Sequence, residues 1–259
     1  FMLLGASAAP AAEWQGREEM REGIPWVFNP DSPREGERTV ELALRWSVLQ
    51  GPETTDEEND GGVPLLGTLS DAVRGPDGTI YVLDSQMKCI HAFDGEGRYQ
   101  RTLSRAGEGP GEMGQPVGLL SPAPDLLVIE MMPGRLMRLR PDGTPAGDLA
   151  LTFAKGSGGF VNLQRADHLG DGYVALAMVM SLGSESPEAR ALLGIFGPDG
   201  RERTALIERT SSLTELTSGD GILKARDLYT AVWAAAGERF YLAQDPMQYE
   251  IKVLGADGV

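Results

Sequence analysis

The chain has 259 residues, 41% hydrophobic and 24% charged, enough to bury one large core or two small ones. Its 23 Lys and Arg stand against 38 Asp and Glu, a formal net charge of −15 that repels nucleic acid and anionic headgroups, so neither is expected as a partner. A single cysteine, Cys89, and two histidines, His91 and His168, exclude an internal disulfide and a four-ligand Cys/His zinc site, and no run approaches the ~20 apolar residues of a membrane span.

The N-terminal stretch "FMLLGASAAPAAEW" is apolar, then small, and Ala9-Pro10-Ala11 has the A-x-A form that precedes a signal-peptidase cut. Residues 1–12 therefore read as a secretory signal remnant, which places the mature protein outside the cytoplasm, periplasmic or secreted. No cysteine lies near the cut to carry a lipid. From 13 to 62 the chain reads as linker, interrupted by Pro25, Pro30, Pro33 and Pro52 and carrying the acidic run "ETTDEENDGG". One island, "RTVELALRWSVLQG" (38–51), alternates Val40, Leu42, Leu44, Trp46 and Val48 at the strand period. Its good helix formers offer a helix as the competing reading; the alternation favours a strand over 38–50.

Beyond residue 62 the sequence repeats. "DAVRGPDGTIYVLDSQMKCIHAFDGEGRYQRTL" reads as four strands in a meander, and "VGLLSPAPDLLVIEMMPGRLMRLRPDGTPAGDLAL" has the same order of parts. A looser third copy runs through "DGYVALAMVM" and "ALLGIFGPDGRERTALI", and a fourth through "AVWAAAGERFYLAQDPMQYEIKVLGADGV". Turn glycines Gly97, Gly143, Gly200 and Gly258 are spaced by 46, 57 and 58 residues, near the ~40–50 of a four-stranded propeller blade once insertions are allowed. Both faces of "IYVL" are apolar, as strands covered on each side require. The fold class expected is all-β, a β-propeller with blades about 63–105, 106–152, 153–210 and 211–259.

Gly109-Pro110-Gly111-Glu112-Met113-Gly114 spells G-x-G-x-x-G, the dinucleotide fingerprint. That chemistry needs the glycines between a strand and a helix N-terminus, where free N–H groups meet the pyrophosphate. Here Gln115-Pro116 and another strand-like run follow, and Glu108 and Glu112 would repel phosphate. The reading is instead an inter-blade connector: Gly107, Gly109 and Gly111 allow positive φ, Pro110 and Pro116 stiffen the passage, and Glu112 belongs to the same segment.

The same residues carry a family resemblance. Val82-Leu83-Asp84, Phe93-Asp94 with Gly97, and Gly107 through Pro116 resemble an NHL-type repeat, and more narrowly the bacterial six-bladed β-propeller proteins, whose connector reads G-x-G-P-G-E-aromatic-x-x-P. Met113 replaces the aromatic, and Lys88 stands near the position where an Arg often opens the third strand, recovered in the second copy as Arg135. The resemblance implies six blades, about 270 residues. Four copies are visible, so the chain reads as an incomplete propeller, with 38–51 as a candidate to complete the last blade of the intact ring.

For chemistry the sequence offers two sets. Arg74, Lys88, Arg105 and Arg135 fall at strand ends or connectors and could share a ligand-binding surface. Asp84, Glu130 and Asp245 close comparable strands; they either bond backbone N–H groups of the following turn or ring the channel mouth and hold a cation. His91 reads as a packed structural residue and His168, in "ADHLGDG", as solvated; the paired methionines read as core filler. No Ser/His/Asp or Cys/His arrangement emerges, and no catalytic residue is assigned. The function expected is a noncatalytic binding or scaffold propeller, without cofactor, that recognises a protein, peptide or glycan through one face. The alternative, suggested by propeller enzymes of similar outline, is a metal-dependent lactonase-like hydrolase or lyase using Ca or Zn in the channel.

Overall fold

The computed structural model describes residues 16–21, 24–28, 44, 47, 64–120, 125–154, 159–181, 187–220, 225–245, 247 and 250–259. The signal-like stretch lies outside these residues, as does the strand expected over 38–51 apart from Leu44 and Ser47. The chain divides into two compact units, 1–52 and 53–259.

The first unit holds a hairpin, β1 (Arg17–Arg21) with β2 (Ile24–Phe28), in a region whose prolines read as linker. Pro25 sits opposite Met20 in a two-stranded ribbon, where an absent N–H can face solvent at no cost. The Arg17 guanidinium lies 4.4 Å from the Phe28 ring centroid and that of Arg21 4.8 Å from Trp26, a cation–π pattern that alternation at Trp26 and Phe28 could have announced.

The second unit consists of four antiparallel sheets arranged as propeller blades. Blade one is β3 (Leu69–Arg74), β4 (Ile80–Asp84), β5 (Cys89–Phe93) and β6 (Tyr99–Leu103); blade two is β7 (Pro116–Leu120), β8 (Leu126–Glu130), β9 (Arg135–Leu139) and β10 (Pro145–Ala150). Blade three has longer strands, β11 (Phe160–Leu169), β12 (Gly172–Ser181), β13 (Glu188–Phe196) and β14 (Glu202–Ser212), and blade four three, β15 (Val232–Ala236), β16 (Arg239–Ala243) and β17 (Lys252–Gly255). Each sheet is a simple meander. The turn between third and fourth strands recurs with the glycine spacing: Gly97, Gly143 and Gly200 have φ of 82°, 89° and 78° and each donates its N–H three residues back.

Two short helices, α1 (Leu213–Ser218) and α2 (Arg226–Thr230), separate blades three and four, a stretch to which the sequence reading assigned no element. The signal was present in the letters: Ser212 and Glu215 exchange bonds, Glu215 N–H to Ser212 Oγ at 3.2 Å and Ser212 N–H to Glu215 Oε2 at 2.9 Å, a capping box.

The period of two divides each inner strand between two cores. In β8, Leu126 and Val128 pack with Tyr81, Leu83 and Ile90 of blade one, while Leu127 and Ile129 pack with Leu163, Ala177 and Leu192 of blade three. In β13, Leu192 and Phe196 face blade two, and Leu193 and Ile195 face Trp233 and Phe240 of blade four. Burying each such side chain contributes about 1.5–3 kcal/mol, so blades two and three are each stabilised from both sides, and blades one and four by the blade next to them in the chain. Asp71 adds a polar tie: its Oδ2 accepts the Leu119 N–H at 2.8 Å, joining the first strands of blades one and two.

Candidate functional site on the turn and connector face

Because the strands alternate direction, one end of every blade gathers the start of its first strand, the turn between its second and third, and the connector from the previous blade. Asp84 ends β4 there, fully buried, between the segment leading into β3 and its own turn. Its Oδ2 accepts the Gly67 N–H at 2.6 Å and its Oδ1 the Met87 N–H at 2.8 Å. Burial works to raise this carboxyl, but the two N–H groups and the nearby His91 outweigh it and hold the acid below the usual carboxylate range. Glu130 ends β8 in the same way, 1% exposed, and its Oε2 accepts from Gly114 at 3.1 Å and Gln115 at 3.4 Å.

The two corners then diverge. The donor that serves Asp84 Oδ1 comes from the third residue after it; the third residue after Glu130 is Pro133, which has no N–H. Glu130 Oε1 is left buried with no partner. Asp245 is exposed and accepts the Met247 N–H at 2.9 Å. These three acids do not form a ligand set, and among the described residues no group of three His, Cys, Asp or Glu side chains is placed to hold a metal ion.

The connector from β6 to β7 closes on itself. Met113 N–H donates to Arg105 O at 2.9 Å, Gly107 N–H to Met113 O at 3.1 Å, and Gly109 N–H to Glu112 Oε2 at 2.9 Å, while Arg105 pairs with Glu112 at 2.6 Å. The Gly109 N–H, with Arg105 beside it, holds Glu112 below the ordinary range. Gly111 takes φ 75°, whereas Gly107 is required chiefly for space, since a Cβ there would lie 2.0 Å from Glu112 Oε2. Gly109 does not use a positive φ, contrary to expectation; its contribution is the N–H. Pro110 is exposed, Pro116 opens β7, and Met113, in the aromatic's place, is fully buried in the core between blades one and two. A strand follows Gly114, and the N–H groups are taken up within the fold: those of Gly107 and Met113 by backbone carbonyls, that of Gly109 by Glu112.

Connector and turns enclose a groove of about 580 Å³ lined by Lys88, Gly107, Glu108, Met113, Gly114, Gln115, Glu130, Met132, Pro133 and Arg135. Of the four basic residues singled out from sequence, Lys88 and Arg135 meet here. Arg105 is 81% exposed and spent on Glu112, and Arg74, whose partner across the ladder is Ile80, lies at the opposite end of blade one. Arg135 donates to Asp148 Oδ2 at 2.6 Å and stands 3.9 Å from Glu130 Oε2, and its Nε is buried without a partner. Lys88 has no hydrogen bond or ion pair among the described residues. It does not occupy Arg135's place in the repeat: Cys89 opposite Asp84 matches Arg135 opposite Glu130, so Lys88 matches Gly134. Both adopt the left-handed region, φ 54° and 78°, at a cost to lysine of about 1–2 kcal/mol.

Sequence reasoning missed a buried polar cluster behind Asp84. His91 lies 3.7 Å from Asp84 Oδ2 and 3.6 Å from Cys89 Sγ through Nε2, and 3.2 Å from Thr102 Oγ1 through Nδ1. Burial pushes the Cys89 thiol up to about 11 and holds His91 below its usual range against the pull of Asp84, so the thiol stays protonated and inert. The in-phase spacing of Cys89 and His91 was the available signal. His168, read as solvated, is instead half-buried in β11 against Tyr173, ring centroids 5.2 Å apart, and burial lowers it too.

The same face carries exposed apolar side chains from every blade: Leu69 and Met87, Met132, Phe160, and Val232 with Met247, the last 90% exposed. The far ends of the blades present Asp77, Glu96, Asp142, Asp199 and Glu238, with Val259 an exposed apolar residue among them.

No protein-family model matches the chain, and no curated protein sequence matches it. Solved structures similar to it include a protein of Bacteroides fragilis described as exported, at 10% identity over 72% of this chain and 67% of that one, TM-score 0.40. A virginiamycin B lyase from Staphylococcus aureus has 10% identity over 90% and 75%, TM-score 0.37, and a streptogramin B lyase 12% over 98% and 72%, TM-score 0.35. Likeness at this level carries no argument about activity. Among the described residues no helix is long and apolar enough to cross a membrane.

Proposed function

We propose that this protein is a noncatalytic binding propeller that works outside the cytoplasm and recognises a protein, peptide or glycan through its turn and connector face. The observation that carries the proposal is the concentration of exposed apolar side chains from all four blades on this face, because concentrated solvent-facing apolar surface is the usual mark of a docking site. Support also comes from the commitment of Asp84, and of one Glu130 oxygen, to backbone N–H groups, which leaves these acids little to offer a metal. The extracytoplasmic part rests on the signal-like residues 1–12. The six-bladed, NHL-type identity rests on the connector letters, and belongs to the same proposal.

The test is an array of peptides and glycans probed with the intact chain, beside variants Met132→Asp and Lys88→Glu on this face and Glu96→Lys on the other. Saturable binding lost in the first two and kept in the third is expected; binding indifferent to all three refutes the face. Calorimetric titration with Ca²⁺ and Zn²⁺ addresses the metal-dependent hydrolase or lyase: tight stoichiometric binding abolished by Asp84→Asn with Glu130→Gln would favour the enzyme.

A further inference from the structure

We infer that the groove between blades one and two takes the carboxyl terminus of a peptide, a deeper statement of the binding-face reading on which it rests. Three residues that line this groove are incompletely partnered. Lys88 is a cation with no partner among the described residues, and it occupies a strained left-handed position that the repeat fills with glycine in blade two. Glu130, 99% buried, has an acceptor oxygen with no donor, because Pro133 removes the N–H that serves the corresponding acid of blade one. Arg135 has a buried Nε with no acceptor. The buried Glu130 and Arg135 atoms each cost stability of the order of a lost hydrogen bond, and with the strained Lys88 they are concentrated where the repeat is broken, which is where strain and function coincide.

A chain terminus meets all three demands within a single residue. Its carboxylate supplies the anion for Lys88; carrying a single charge, it is opposed by the exposed Glu108 on the same groove less strongly than a phosphate would be. Its N–H supplies a donor for Glu130 Oε1, and the preceding carbonyl an acceptor for Arg135. The exposed Met132 and Pro133 form an apolar rim on which the terminal side chain can rest. The volume falls within the ~300–1,000 Å³ of small-ligand sites. An acidic sugar would also bring a carboxylate, but no aromatic ring lines the groove to pack against its C–H faces.

The experiment titrates the intact chain with N-acetyl-Leu-Leu as the free acid, the same compound as its C-terminal amide, and glucuronate, following chemical shifts or heat. Saturable binding of the acid is expected, with the amide about tenfold weaker, as loss of a charge-assisted contact implies. Lys88→Met should weaken the acid by a similar factor at unchanged Tm, and Lys88→Arg should restore part of it. Acid and amide binding alike, no saturation by the acid at millimolar concentration, or glucuronate binding more tightly than the acid would each overturn the inference. Face-dependent binding on the arrays alongside any of these results would overturn the terminus alone and leave the binding face standing.

Discussion

Asp84 and Glu130 end the second strands of consecutive blades, and each accepts an N–H from the segment leading into its own blade, Gly67 in one case and Gly114 in the other. Asp84 uses its second oxygen on Met87, a neighbour in its own turn, and is sealed. Glu130 has Pro133 where that donor should be, so its second oxygen stays unmatched beside a groove. One substitution of an imino acid for an amino acid thus turns a repeat part into a place where a ligand could be held. The repeat supplies the scaffold, and departures from it mark the candidate site.

The comparison breaks if the two acids prove energetically equal. Asp84→Ala removes the buried charged acceptor of the Gly67 and Met87 N–H groups and should cost about 3 kcal/mol in urea unfolding, the largest effect of any change considered. Glu130→Gln keeps an acceptor for the longer bonds from Gly114 and Gln115 and should cost about 1 kcal/mol. A Glu130 penalty matching that of Asp84 would mean that its second oxygen is satisfied. In the connector that borders the groove, Gly111→Ala forces a side chain into φ 75° and onto Pro145, 2.6 Å from Cγ, and should cost about 1–2 kcal/mol with both corners unchanged.

The pH dependence sharpens the comparison further. His91 sits behind the sealed corner with a lowered folded value, so the unfolded chain binds its proton first, and stability falls as pH drops below about 6.5. The lowered Asp84 adds a loss that begins only below about pH 4. Replacing His91 with Gln should reduce the slope of Tm between pH 6.5 and 5 and leave the remainder to His168; an unchanged slope would show that His91 does not titrate with unfolding. The smallest effect is expected from Arg105→Ala, an exposed pair on the connector, with no resolvable shift in Tm.

The blade-to-blade architecture was legible because alternation inside "IYVLD" and "DLLVIE" is a local property that survives into the fold, as are the turn glycines, whose positive φ the backbone demands wherever that turn occurs. The hairpin at Arg17–Phe28 was hidden by Pro25, since a proline reads as a breaker until the strand is known to lie at an edge. The helices between blades three and four were announced only by the Ser212–Glu215 box, which is too short to outweigh a strand pattern on both sides.

By itself the sequence determined the blades, the connector and the places where acids and bases could act, because apolar period, turn chemistry and Gly/Pro positions are set residue by residue. Tertiary structure decided how those residues were grouped. It brought Lys88 and Arg135 to one groove and spent Arg105 on Glu112, while Arg74 went to the other end of its blade, since strand direction alone fixes which end a residue occupies. It also made Asp84 complete and Glu130 incomplete. Hydrogen bonding is a matter of which donor arrives at which oxygen, and the fold sets that by carrying Gly67 to one acid and Gly114 to the other across 17 and 16 residues of chain.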